Sequence, residues 1–306
     1  MSWTPRQLVR QLLLAMVGLM GFVLNPAATA AAPGAASPAI VLATQPLPGS
    51  SAAIRDQLAQ RARERFPGRE IQWAALPGPD PALLSGEGQA NLPELGQVLA
   101  DLKSRNIPAA AIQPLAVVPG GHWEQQLSAA RSTAGLKIAL GQPLLSSLAD
   151  RQRLLSALAN TFTANNQDQA VLLVSSGGPN PVALRENLAL YTLLLARFKG
   201  SNLFFGTVNS LPEMKTIIAG VKKSSANSVT IIPLPAFADG PVPSQQIEAL
   251  GAYKNELAAA KAGSVQIFQE GLGSIDGILA IYVDHLADAL NSLAPKKPAK
   301  QKKGRK

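Results

Sequence analysis

The sequence predicts an α/β protein of two similar lobes, each a parallel sheet flanked by helices, with a cleft between the lobes. Three observations carry this. Short, continuously apolar runs recur between Ala39 and Phe268, as strands buried on both faces require. Segments of helical length separate them. The order also repeats: IVLAT at 40 parallels VLLVS at 171, IQPLAVVPGG at 112 parallels IIPLPAFADG at 231, and LGQPLLSS at 140 is loosely matched by FQEGLGS at 268.

The elements follow in chain order. Ala39–Ala43 is a strand closed by the loop Gln45-Pro46-Leu47-Pro48-Gly49. Ser50 or Ser51 caps a helix from Ala52 to Arg65, because a serine hydroxyl can accept a first-turn amide. Phe66-Pro67-Gly68 ends that helix, and a strand over 70–75 follows. Residues 92–105 form an amphipathic helix, 110–118 a strand stopped by Pro119-Gly120-Gly121, 123–132 a helix and 136–140 a strand. The second lobe runs strand 170–174, helix 181–197, strand 203–208, helix 212–223, strand 229–234, helix 245–262, strand 265–268 and helix 275–293. The predicted divisions are 39–165 for the first lobe and 166–294 for the second.

The ends read differently. Arg6 and Arg10 precede an apolar stretch from Gln11 to Leu24, broken by Asn25-Pro26 and followed by Ala28-Thr29-Ala30. That is the pattern of a cleaved export signal over 1–30, which places the mature chain outside the cytoplasm, in the periplasm. The alternative is an uncleaved N-terminal membrane anchor, for which the stretch is short against the roughly 20 residues of a span. Residues 31–38 are an Ala/Gly/Pro/Ser linker. Residues 295–306 form a Lys-rich tail, expected to be disordered, that either contacts an anionic membrane weakly or serves as a solubilising tail.

Composition narrows function. The 306 residues are 47% apolar, enough for a substantial core. The net charge of +9 comes from the ends: without Arg6, Arg10 and the seven basic residues after Pro295, 19 basic groups face 19 acidic ones. A neutral body argues against a nucleic-acid face. With no cysteine, thiolate metal sites, disulfides and catalytic thiols are excluded. Only two histidines are present. His285 lies in the last helical pattern and reads as a surface or packing residue. His122 follows Pro119-Gly120-Gly121 at a strand end, where ligands commonly bind, or else simply starts a helix facing water. Ser176 has neighbouring glycines but lacks the G-x-S-x-G setting and a local histidine, so Gly177-Gly178 reads as a tight strand-to-helix turn.

Several blocks together resemble the anaerobic sirohydrochlorin cobaltochelatases, class II chelatases of anaerobic cobalamin biosynthesis. They are AIQPLAVVPGGHWEQ (111–125), LGQPLLSS (140–147), VLLVSSGGP (171–179), GTVNSLPE (206–213), IIPLPAFADG (231–240) and QEGLGS (269–274), in the expected order. The resemblance implies two flavodoxin-like lobes with a tetrapyrrole cleft and a reaction that inserts a divalent metal and releases two pyrrole protons. It also implies a His, a Glu and a second His after successive strands of the second lobe, groups able to hold Co(II) and accept protons. Those positions here carry Ser176, Asn209 and Pro241, and the histidine the family often has in its first-lobe strand is replaced by Ala116.

The resemblance therefore implies a chelatase-like protein that binds a tetrapyrrole or corrinoid with weak or no metal insertion, a pseudoenzyme candidate. The alternatives are an active chelatase using altered groups, such as His122 or Asp239, with Co(II) as its metal, and a non-catalytic assembly partner of a chelatase. Candidate cleft residues are Gln113, Gly120, Gly121, His122, Ser175, Ser176, Gly177, Asn209 and Asp239; no catalytic or metal-holding residue is assigned.

Overall fold

The computed structural model describes residues 37–45, 51–76, 91–119, 122–133, 135–163, 168–177, 181–235, 237–240 and 244–294, all within one compact unit, Ala36–Lys306. The predicted export signal and basic tail lie outside the described residues. Among the described residues no helix is long and apolar enough to cross a membrane.

Two parallel four-stranded sheets form the scaffold. The first holds β1 (Ala39–Thr44), β2 (Ile71–Ala75), β3 (Ala109–Pro114) and β4 (Lys137–Leu140) in the order β2-β1-β3-β4. The second holds β5 (Gln169–Ser175), β6 (Leu203–Thr207), β7 (Ser228–Leu234) and β8 (Val265–Ile267) in the order β6-β5-β7-β8. The two orders are the same, which is the repetition legible in the sequence. β3 is shorter than predicted. Its ladder with β1 ends at Ala43–Pro114, after which the Leu115 amide bonds the Ala43 carbonyl and Ala116 turns to form an antiparallel bridge with Phe237 of the other lobe.

The helices are α1 (Ala52–Arg65), α2 (Leu95–Ser104), α3 (His122–Thr133), α4 (Leu148–Leu158), α5 (Pro181–Arg197), α6 (Met214–Lys223), α7 (Ser244–Ala258) and α8 (Ile278–Leu293). Ser51 caps α1, its hydroxyl accepting from the Ile54 amide at 3.3 Å. The sequence reading assigned no element to 148–163. There α4 runs on into a π-helical turn, Ala159–Thr163, and its start is marked by Ser147, whose hydroxyl accepts from the Asp150 amide at 3.1 Å. The last helix begins at Ile278 rather than 275, because Gly277 stands in the left-handed region at φ +86° after a 3-10 turn over Leu272–Ser274.

Burial follows strand alternation. On β5, Ala170, Leu172 and Val174 face a core shared with Met214, Ile217, Ile218 and Val221 of α6. Val171 and Leu173 face the opposite way, into a larger core that runs through the first lobe. α8 makes that core continuous. Sequence order put 278–293 in the second lobe, yet α8 packs on β3 and β4 and against α1 and α4. Its apolar residues are so frequent (Ile278, Leu279, Ile281, Tyr282, Leu286, Ala289, Leu290, Leu293) that it needs cover on most sides, and the first sheet supplies it.

Candidate functional site

Two groups of predicted residues separate in the structure. One forms the joint between the lobes; the other lies on the loops at the C-terminal ends of β5 and β6.

The joint is built around residues 237–240, which follow β7 and reach into the first lobe. The Ala238 amide donates to the Leu115 carbonyl at 2.9 Å, and the Ser51 amide donates to the Asp239 carbonyl at 2.8 Å. The Asp239 carboxylate accepts from the Thr44 hydroxyl at 2.6 Å and from the Arg55 guanidinium at 3.0 Å. Asp239 is 1% exposed and Arg55 7%, so the ion pair is closed to solvent. Burial pushes the Asp239 carboxyl above its usual range, opposed by its hydrogen bonds to Thr44 and Arg55. From α8, the fully buried Tyr282 hydroxyl donates to the Leu115 and Ala116 carbonyls at 3.0 and 3.1 Å. Burial, and second the nearby Asp239 carboxylate, hold that phenol well above its ordinary value, so it stays a neutral donor. Asp239, a predicted cleft residue, thus spends its carboxylate on tying the lobes together.

LGQPLLSS is the other half of this joint. Gln113, at the end of β3 and fully buried, donates its side-chain amide to the Pro114 and Gln142 carbonyls at 2.8 and 2.9 Å. The Gln142 carbonyl also meets His285 Nδ1 at 3.0 Å. A carbonyl only accepts, so that nitrogen carries the hydrogen. His285 Nε2 lies 3.2 Å from Asp150, whose other oxygen accepts from Ser146 and Ser147 at 3.0 and 2.6 Å. The Leu144 and Leu145 amides bond the Ala116 and Val117 carbonyls, each at 2.9 Å. His285 is therefore a buried packing residue holding α8 to this loop. Gly141 is glycine for a steric reason: a Cβ there would sit 1.9 Å from Gln113 Oε1. Gly141→Ala is expected to lower stability by about 1–3 kcal/mol through this overlap. Chemical denaturation checks it, and an unchanged midpoint contradicts it.

The second group stands apart from the joint. β5 ends at Ser175, and Gly177 takes a left-handed turn at φ +68°, its amide donating to the Ser175 hydroxyl at 3.4 Å. The neighbouring loop is pinned to it: the Val208 amide bonds the Ser175 carbonyl at 2.9 Å and the Asn209 amide bonds the Ser176 carbonyl at 3.2 Å. A Cβ on Gly177 would approach Ser210 Cβ to 2.8 Å, so the two loops touch. Ser176 and Asn209 are both exposed, side by side, at the strand ends where open parallel sheets bind ligands. The structure brings these two together. Gly120, Gly121 and Pro241 lie outside the described residues, and His122 is placed only as the first residue of α3.

Sequence reading missed part of the surroundings. A hollow of about 330 Å³ beside Ser210 is lined by Thr207, Glu213, Met214, Tyr253 and Glu256. Glu256 pairs with Lys222 at 2.7 Å. Burial, then the Glu256 carboxylate, raises the Tyr253 phenol above its usual value. Tyr253 and Glu256 come from α7, some forty residues beyond Ser210, and no local pattern marks them. Among the described residues no group of three His, Cys, Asp or Glu side chains could hold a metal ion.

Residues 50–291 match the family model described as cobalt chelatase (CbiK). This chain belongs to the CbiK cobalt chelatase family. Curated relatives agree. The chain is 26% identical to the sirohydrochlorin cobaltochelatase of Salmonella typhimurium over 198 residues, 64% of this chain and 74% of that one. It is 24% identical to the sirohydrochlorin cobaltochelatase CbiKC of Nitratidesulfovibrio vulgaris over 245 residues, 76% of this chain and 83% of that one. Among solved structures, SirB from Bacillus subtilis with Fe3+ superposes with a TM-score of 0.58 at 13% identity, covering 83% of this chain and 97% of SirB. That likeness concerns the fold, the two-lobed chelatase architecture.

Proposed function

We propose that this CbiK-family protein is exported and binds a tetrapyrrole or corrinoid, while inserting metal weakly or not at all. The observation that carries the reading is the pair of loops after β5 and β6. They lie against each other as a two-point site would, yet present Ser176 and Asn209. A hydroxyl and a carboxamide are neutral, weak donors toward Co(II). Neither accepts a pyrrole proton near neutral pH, as imidazole or carboxylate would. Asp239 is a poor substitute, since its two oxygens are engaged by Thr44 and Arg55. Export rests on the residue pattern of 1–30, and the basic tail adds a weak contact with anionic membrane.

Titration with sirohydrochlorin, followed at its main absorption band, is expected to give saturable binding. Added Co(II) is expected to enter the macrocycle about 10²-fold or more slowly than with the Salmonella typhimurium relative. Insertion at a comparable rate overturns the reading. Absence of any spectral change favours an assembly partner without a small-molecule role.

One observation favours a second reading, a chelatase with altered groups: Glu213 lines the same hollow as Ser210, and Ser210 adjoins Asn209 in the chain. If Glu213 is the base, Glu213→Gln abolishes whatever insertion remains and leaves tetrapyrrole binding unchanged.

A further inference from the structure

A second cavity lies away from the joint and from Ser176 and Asn209. It opens at the outer edge of the second sheet, along the edge strand β6, between α5 and α6, and measures about 430 Å³. This is within the roughly 300–1,000 Å³ of small-molecule sites. Tyr191, Leu194, Phe198, Phe204 and Ile217 make its lining apolar. Leu195, at its mouth, is 53% exposed. Lys199 and Lys223 are both exposed and both line it, and among the described residues no carboxylate does.

An independent observation concerns Gly220, which stands within α6 and lines the same cavity. Glycine is among the poorest helix formers. Here it serves no turn, since its backbone is helical, and no close approach, since among the described residues a Cβ would meet only the Phe204 ring, at an ordinary 3.6 Å. What its missing side chain does is leave room beside Phe204.

We propose that this cavity binds a single-chain amphiphile with an anionic head, of the fatty-acid class. The acyl chain lies along Phe204 and Phe198, in the space Gly220 leaves. The carboxylate meets Lys199 and Lys223 at the mouth, where an exposed ion pair gives selectivity for charge more than affinity.

Dodecanoate, below its micellar concentration, is the probe, titrated against the full-length chain by calorimetry. Saturable binding with one molecule per chain is expected, with dodecanol severalfold weaker. Gly220→Leu is expected to weaken dodecanoate at least tenfold while the protein still unfolds cooperatively. Gly220→Ala, which adds a methyl at ordinary contact distance, is expected to weaken it severalfold and keep the fold intact. The pair K199E/K223E is expected to remove the preference for dodecanoate over dodecanol. The proposal is overturned if dodecanoate does not saturate, if it binds Gly220→Leu and the parent equally, or if the chain dimerises through this edge without binding it. It is also overturned if only phosphatidylglycerol vesicles, and not the monomeric amphiphile, are bound.

Discussion

Asp239→Ala is expected to lower the unfolding free energy by about 3–5 kcal/mol, because it leaves the Arg55 guanidinium buried without its counter-charge. The same change strips the Thr44 hydroxyl of its acceptor in a site that water does not reach. The loss falls on the joint, so both lobes are expected to loosen in one transition. The double change Arg55→Met with Asp239→Leu removes both charges at once and is expected to recover most of the loss, since apolar replacement of a buried pair is often neutral or stabilising. Urea unfolding of the parent, the single and the double variants measures this. A single variant as stable as the parent contradicts it.

The pH dependence at this residue has a defined sign. Burial raises the folded-state pKa of Asp239, so the native protein holds this proton to higher pH than the unfolded chain does. The corresponding stability is fully present below about pH 4, the unfolded value, and is lost as pH rises through the folded value. The unfolding free energy of the parent minus that of Asp239→Asn is therefore expected to fall as pH increases above about 4. A difference that rises with pH contradicts the assignment.

The second large effect concerns activity. Returning the residue types that the family resemblance implies, with Ser176→His, Asn209→Glu and Pro241→His together, is expected to raise cobalt insertion into sirohydrochlorin by about 10²-fold or more, the usual contribution of a placed base. The loops after β5 and β6 are already in contact, so the first two side chains start from adjacent backbone. Ser176→His alone supplies one donor and is expected to do far less than the triple change, because imidazole and carboxylate act as a unit. The insertion rate is read from the metal-dependent spectral change, with tetrapyrrole affinity measured in parallel. Unchanged insertion with binding retained means that these loops are not where the metal enters.

Much of this architecture was legible in the chain itself. Apolar runs such as Ala39–Ala43 and Ala170–Val174 declare buried parallel strands, and Ser50-Ser51 before Ala52 declares a helix start, because these signals are local; that Ser51 is the cap came from the structure. The adjacency of Ser176 and Asn209 was legible only in outline: both follow successive strands of the second lobe, and the contact between their loops appears in the structure. The roles of LGQPLLSS and IIPLPAFADG were not. In the sequence they are two blocks of the family resemblance, the second of which carries a predicted cleft residue, Asp239. In the structure Gly141 makes room for Gln113, Asp150 holds His285, and Asp239 holds Arg55 and Thr44. These partners stand 28, 135, 184 and 195 residues apart, so no periodicity could pair them.

By itself, then, the sequence determined most of the element types, the repeated order of strands and helices, and which residue types stand in the loops after β5 and β6. Those depend on residue type and near neighbours. Only the tertiary structure decided that α8 returns to cover the first sheet, that Asp239 is a latch, and that Gly220 opens a cavity at the edge of the second. Each of those depends on which distant surfaces meet, and a buried charge or an empty volume exists only after they have met.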